Sequence, residues 1–156
     1  MPIEKKFGSA LRSAYRHINR RDPFIAIVLV ESYFRPLWFR LIEYIVFVIL
    51  FKLKLNKYMT LSIGMCQIRA IDWMDYFQVV GIEFSISNIL RNSENIYSCA
   101  SAVRWYFENR KKEKARTISG IYTGSYNIFY EKLIVITRNA LDLPPIPLNG
   151  LKKAVG

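Results

Sequence analysis

The chain is short of the residues that build metal centres and disulfide frameworks. It holds one histidine, His17, and two cysteines, Cys66 and Cys99. A lone imidazole removes most zinc sites and the Ser-His-Asp arrangement. Two cysteines at this spacing match no ligand pair and are too few for a disulfide scaffold. No metal and no cofactor is therefore expected. Acidic residues are scarce as well, with 12 Asp plus Glu against 23 Lys plus Arg, a formal charge of +11. A long apolar run is missing too. Between Leu37 and Leu55 the longest uncharged stretch, Tyr44 to Phe51, is eight residues, and Arg40, Glu43, Lys52 and Lys54 interrupt the rest. A bilayer span needs about 20 predominantly apolar residues, so a buried helix is expected there. The first 22 residues are basic and amphipathic and read as no secretory signal, having neither an apolar core nor a small-residue cleavage site.

What is present fits one compact domain over residues 1–156. Hydrophobic residues make up 52% and aromatics 15% of the chain, which excludes a disordered basic tail. The positive charge calls for an anionic partner: nucleic acid, an acidic membrane surface, or a polyanionic cell-wall glycan.

Helical periodicity dominates. Phe7, Ala10, Leu11, Ala14, Tyr15 and Ile18 predict an amphipathic helix over 4–20, with Arg12, Arg16 and Arg20 as a solvated basic stripe. Asp22-Pro23 is a helix start, followed by Phe24 to Val30, apolar on every side. Such a segment belongs in a domain interior, as a helix or as a buried parallel strand. Arg35-Pro36 ends it. A helix over about 37–54 follows, then a short strand or loop over 60–68. The next helix, 71–80, is stopped by Gly81. Ser93 is read as the N-cap of a long helix whose basic end runs from Arg110 to Lys114. Thr117 to Tyr122 and Ser125 to about Asn139 complete the core of 4–139, with 140–156 an extended tail. The expected fold is mainly α with at most a small β-hairpin.

Glu31 is the most unusual residue, since it follows seven consecutive apolar residues at the end of a buried helix. Desolvation and the negative end of the helix dipole both raise the pKa of such a carboxyl. A carboxylic acid kept protonated near neutral pH suits protonation of a glycosidic oxygen. The competing role is a surface ion pair with Arg35.

The segments Glu31-Ser32, Ser62-x-Gly64-x-x-Gln67-Ile68, Asn95-Ile96 and Ile121-Tyr122-Thr123-Gly124, read in that order, resemble the lytic transglycosylases and goose-type lysozymes over about residues 23–137. The resemblance implies a lysozyme-like helical domain with Glu31 as catalytic acid. Ser62, Gly64 and Gln67 would line the cleft and bind substrate, and Tyr122 would stand near the acid. The sequence departs from the family in the long Glu31-to-Gln67 separation, and in Thr123, which replaces an asparagine that recurs four residues late in Tyr126-Asn127. Each cleft residue also has a structural reading: Gly64 a turn, Gln67 a loop brace, Tyr122 a core aromatic. Trp38, Trp73 and Trp105 are expected in the core, and His17 at the surface or core edge.

The family mechanism cleaves peptidoglycan between N-acetylmuramic acid and N-acetylglucosamine. Glu31 protonates the leaving oxygen, then takes a proton from the sugar's own 6-hydroxyl to close an anhydro ring. Hydrolysis by a muramidase needs a base for water. Asp72, Asp75, Glu83 and Glu43 are the candidates, with Glu43 expected to pair with Arg40. The rival readings are a basic nucleic-acid-binding module, for which no recognised signature is present, and a membrane-active protein using helix 37–54. The expected partner is the glycan strand, with an anionic membrane surface as a second. The expected place of action is the bacterial cell wall, reached by phage lysis or a dedicated secretion system.

Overall fold

The computed structural model describes residues 3–15, 18, 21–109 and 127–147, and over these the protein is mainly helical with one two-stranded antiparallel hairpin. The elements run α1 (Ile3–Ala14), α2 (Ile25–Phe34), α3 (Leu37–Lys52), a 3-10 turn (Asn56–Thr60), β1 (Ser62–Ile63), β2 (Ile68–Arg69), α4 (Ala70–Val80), α5 (Ile86–Ser93), α6 (Ile96–Asn109) and α7 (Ile128–Ala140).

The centre of the fold is α2. Its residues Ile25 to Val30 are all buried, because α6 and α7 both pack against it. This run is rich in β-branched residues, yet it is helical. Asp22 sets the start: its Oδ1 accepts from Phe24 N at 3.0 Å and its carbonyl from Ile25 N at 3.2 Å. Arg104 of α6 donates to the same Oδ1 at 2.8 Å, which ties the helix start to its neighbour. Six consecutive buried residues are possible only for a helix covered all round.

The inner edge of α3 is pinned by an aromatic cluster. Phe47 lies 5.7 Å from Phe51 and 5.9 Å from Tyr58, and Phe51 lies 6.0 Å from Phe84, ring centre to ring centre. Phe47 is the one buried residue of this helix. The expectation of a buried 37–54 helix is therefore wrong. Hydrophobic composition identifies the helix but does not say that anything covers it.

Other expectations need smaller corrections. Arg12 is not part of a purely solvated stripe, since its Nε donates to Ala140 O at 3.2 Å and caps the end of α7. Arg16, Arg20 and His17 lie outside the described residues, as do the basic run from Arg110 and the helix expected over 117–122. Ser93 does not start the long helix. It is the buried last residue of α5, an extra helix whose N-cap is Ser85, accepting from Asn88 N at 3.2 Å. Asn95 caps α6 instead, its Oδ1 accepting from Tyr97 N and Ser98 N at 3.0 Å each. Asn127 does the same for α7 toward Phe129 and Tyr130, and Ser125 lies outside the described residues. Gly81 stops α4 at φ 75°, as expected. Residues 143–147 carry no regular secondary structure and are docked on the fold, with Leu143 and Ile146 buried.

The hairpin pairs Ser62 with Arg69 and Ile63 with Ile68. Its turn needs two left-handed residues, Gly64 at φ 78° and Gln67 at φ 55°. Gly64 is required twice over, because a β-carbon there would collide with the backbone and side chain of Ser93. That close approach lets Met65 N donate to Ser93 O at 2.8 Å and seats the hairpin on the end of α5.

Candidate functional site

The site is built at the C-terminal end of α2. Glu31 lies one turn from the end of a helix whose preceding six residues are buried, so its carboxyl emerges at the edge of the core. Its Oε1 accepts a 2.7 Å hydrogen bond from the Tyr130 hydroxyl on the first turn of α7. Burial raises the Glu31 pKa above the ordinary carboxyl value. The Tyr130 hydrogen bond and the positive charge of Arg35 oppose this more weakly. The buried Tyr130 hydroxyl is pushed far upward, first by desolvation and then by the Glu31 charge. It therefore stays protonated and remains a donor. Among the described residues Oε2 of Glu31 accepts no hydrogen bond.

Around this pair runs a chain of polar contacts. Arg35, just past the end of α2, lies 3.8 Å from Glu43 Oε1 and stacks over Phe39 with its guanidinium carbon 4.8 Å from the ring centre. Glu43 Oε2 accepts from Gln67 Nε2 at 2.9 Å, and the same amide nitrogen donates to Gly64 O at 3.0 Å. The helix end is thus joined to the hairpin through Arg35, Glu43, Gln67 and Gly64. The apolar helix between Glu31 and Gln67 does not separate them into unrelated regions, because it contributes Glu43 as the link.

The expected Glu43–Arg40 pair does not form. Arg40 turns the other way, donating from Nη1 to Ser32 Oγ at 3.1 Å and meeting Glu94 Oε2 at 3.5 Å. Its Nε is buried without a hydrogen-bond partner among the described residues. Burial raises the Glu94 pKa, and the Arg40 charge opposes that rise. Glu31 and Ser32 are thereby flanked by two guanidinium–carboxylate pairs. Of the other acids considered, Asp72 is buried and bonded to Arg69 at 2.9 Å, and Glu83 is exposed at the surface.

The residues singled out from the sequence fall into three groups. Glu31, Ser32 and Gln67 each take part in polar contacts around the end of α2, Glu31 with Tyr130, Ser32 with Arg40 and Gln67 with Glu43. Ser62 and Gly64 lie on the hairpin, Ser62 half-buried in β1 and Gly64 against Ser93. Tyr122 and Thr123 lie outside the described residues. Trp38 is corrected from core to surface, being 63% exposed, whereas Trp73 is fully buried and Trp105 half-buried. Sequence reasoning missed Tyr130, Arg40 and Glu94. A signal existed for Tyr130: with Leu133, Ile134 and Thr137 it forms the buried face of α7, and a buried tyrosine requires a partner for its hydroxyl.

The apolar surface beside the acid is aromatic. Tyr33 and Phe34 are exposed, and Phe34 meets Phe129 of α7 edge-on at 6.5 Å. A groove of about 230 Å³ between α1 and α2 is lined by Ser32 and Tyr33 together with Leu11 and Tyr15.

The chain matches no protein-family model, no curated protein and no solved structure.

Proposed function

We propose that this protein cleaves the glycan strand of peptidoglycan between N-acetylmuramic acid and N-acetylglucosamine, as a lytic transglycosylase with Glu31 as acid and then base. The observation that carries the reading is the Glu31–Tyr130 pair at the end of a buried helix. Burial favours the protonated carboxyl, while Tyr130 occupies one oxygen and leaves the other for substrate.

In the reaction Glu31 gives its proton to the glycosidic oxygen as the bond to C1 breaks. A carboxyl with a raised pKa is protonated over more of the neutral range. The resulting carboxylate is held by the Tyr130 hydrogen bond and the Arg35 charge. It then takes the proton of the 6-hydroxyl as that oxygen bonds to C1, returning Glu31 to its starting form. The engagement of Glu43 with Gln67 and Arg35, and of Glu94 with Arg40, supports this single-carboxyl route over hydrolysis. To act as a base for water, either of these two carboxylates would have to leave its guanidinium partner. The +11 charge supports attraction to a wall carrying lactyl carboxylates, in keeping with action at the bacterial cell wall.

The test uses purified sacculi. The protein should clear their turbidity, and Glu31→Gln should reduce the rate by about 10²–10⁴-fold, the range for losing a general acid, without loss of fold. Mass spectrometry of released fragments should find anhydro-muramyl ends. Reducing ends would make the enzyme a muramidase. Equal clearance by the Gln variant, or salt-sensitive DNA binding with no wall activity, would refute the assignment.

A further inference from the structure

The outward face of α3 is apolar along its whole length. Trp38, Leu41, Ile42, Ile45, Ile49 and Leu53 are all exposed, Ile45 at 55% and Leu53 at 63%. They recur at three- and four-residue spacing and form one stripe. Of the three charged residues in the helix, two turn away from the stripe, Arg40 toward Ser32 and Glu94, and Glu43 toward Gln67 and Arg35, and the third, Lys52, is its last residue. No acid therefore interrupts the stripe. Its C-terminal end carries three exposed cations, Lys52 in the last turn and Lys54 and Lys57 just beyond it.

We infer that α3 docks in the plane of an anionic lipid bilayer surface, with the apolar stripe in the acyl boundary and Lys52, Lys54 and Lys57 against the headgroups. Length selects the mode of contact. Sixteen residues span about 24 Å at 1.5 Å each, short of the roughly 30 Å hydrocarbon core, and no helix among the described residues is long and apolar enough to cross a membrane. Area argues against a second copy as the occupant. A strip about 24 Å long and 10 Å wide offers roughly a third of the ~800 Å² per partner of a standard protein interface. Charge argues the same way, since the stripe carries cations at one end and no acid to receive a partner's cations. An apolar stripe with a basic end is the pattern of a helix lying in a bilayer interface, and exposed Trp38 suits the headgroup level.

This inference does not depend on the proposed activity, because binding is read without substrate. The full chain should co-sediment with vesicles of phosphatidylglycerol and phosphatidylethanolamine, and roughly tenfold less with phosphatidylcholine alone. Added salt should weaken it. Ile45→Glu, at an exposed position, should reduce binding about tenfold or more, and Lys52→Glu with Lys54→Glu should remove the preference for anionic lipid. Tryptophan emission should be quenched by brominated phosphatidylglycerol, and this should disappear in Trp38→Phe. Glu31→Gln should bind as the parent does. Failure to sediment with phosphatidylglycerol vesicles, unchanged binding by Ile45→Glu, or quenching that persists in Trp38→Phe would overturn the inference. So would a dimer in ultracentrifugation that Ile45→Glu dissolves, which would assign the stripe to a second copy.

Discussion

Tyr130 and Glu31, 99 residues apart in the chain, share a 2.7 Å hydrogen bond where α7 crosses the end of α2. The bond works against the larger effect at Glu31. Burial favours the neutral acid, and the phenol favours the carboxylate. The two influences on this carboxyl thus oppose each other, with burial the larger.

Tyr130→Phe isolates the smaller effect. Removing the donor leaves desolvation less opposed, so the Glu31 pKa rises further. Activity that needs the protonated acid falls as pH passes upward through that pKa. The falling limb of the kcat/KM profile on sacculi should therefore move to higher pH. The maximal rate should drop as well, because the carboxylate formed midway loses its stabilising partner. The structural cost should be modest, about 1 kcal/mol for one hydrogen bond, read by urea denaturation. A limb that moves to lower pH would contradict the roles assigned to both residues.

Glu31→Gln carries a stability prediction separate from catalysis. The folded pKa of Glu31 is raised, so the folded state binds its proton more tightly than the unfolded chain does. That contribution is fully present below the unfolded pKa and is lost as pH rises through the folded pKa. Glutamine is neutral throughout and can still accept from Tyr130. The variant should melt higher than the parent near pH 8, by roughly 2–4 °C for each ~1 kcal/mol. The difference should shrink toward zero below about pH 4. Calorimetric scans at the two pH values decide it.

The end of α2 was legible in the sequence because an all-apolar run ending in an acid leaves few places for that acid. Gly81 was legible as a helix stop, and the glycine-containing 60–68 stretch as a short strand or loop. α3 was not legible. Its hydrophobicity says that water is unfavourable for it, but not that a neighbour excludes water. Here the charged Arg40 and Glu43 face inward and the aliphatic residues outward, the reverse of the usual pattern. α5 escaped because eight residues hold too few periods to register, and because Ser93, its last residue, is chemically a good cap. The Glu31–Tyr130 contact was beyond reach for another reason. Periodicity assigns Tyr130 to a buried face, but only the crossing of α7 over α2 assigns its partner.

Gly64 and Gly81 provide a matched pair of backbone tests. Both have positive φ, 78° and 75°, which costs an L-residue roughly 1–2 kcal/mol. They differ in surroundings. A β-carbon at Gly64 meets Ser93, while at Gly81 it meets open space. Gly81→Ala should lose about 1 kcal/mol. Gly64→Ala should lose more, about 2–4 kcal/mol, because the hairpin must lift from α5 and the Met65–Ser93 hydrogen bond goes with it. Amide exchange at Met65 should rise in Gly64→Ala alone. Equal losses in the two variants would mean that the close approach to Ser93 is not what the glycine serves.

Arg40 holds two elements to the helix end that carries Glu31, and its removal should be felt through Glu94. Its side chain is 10% exposed and that of Glu94 30%, so the pair is only partly shielded from water. Arg40→Met keeps the aliphatic stem but leaves Glu94 half-buried without its cation and Ser32 without its donor. A fully buried pair broken this way costs about 3–5 kcal/mol. Solvent access to Glu94 brings the expected loss down to about 1–3 kcal/mol at neutral pH. Without the guanidinium to oppose burial, the Glu94 pKa rises further, so the folded variant takes up a proton there more readily. The deficit should therefore narrow as pH falls. Adding Glu94→Gln removes the stranded charge and should recover part of the loss at neutral pH. A double-mutant cycle that shows no coupling between the two positions would mean that the 3.5 Å contact contributes nothing, and that Arg40 acts through Ser32 alone.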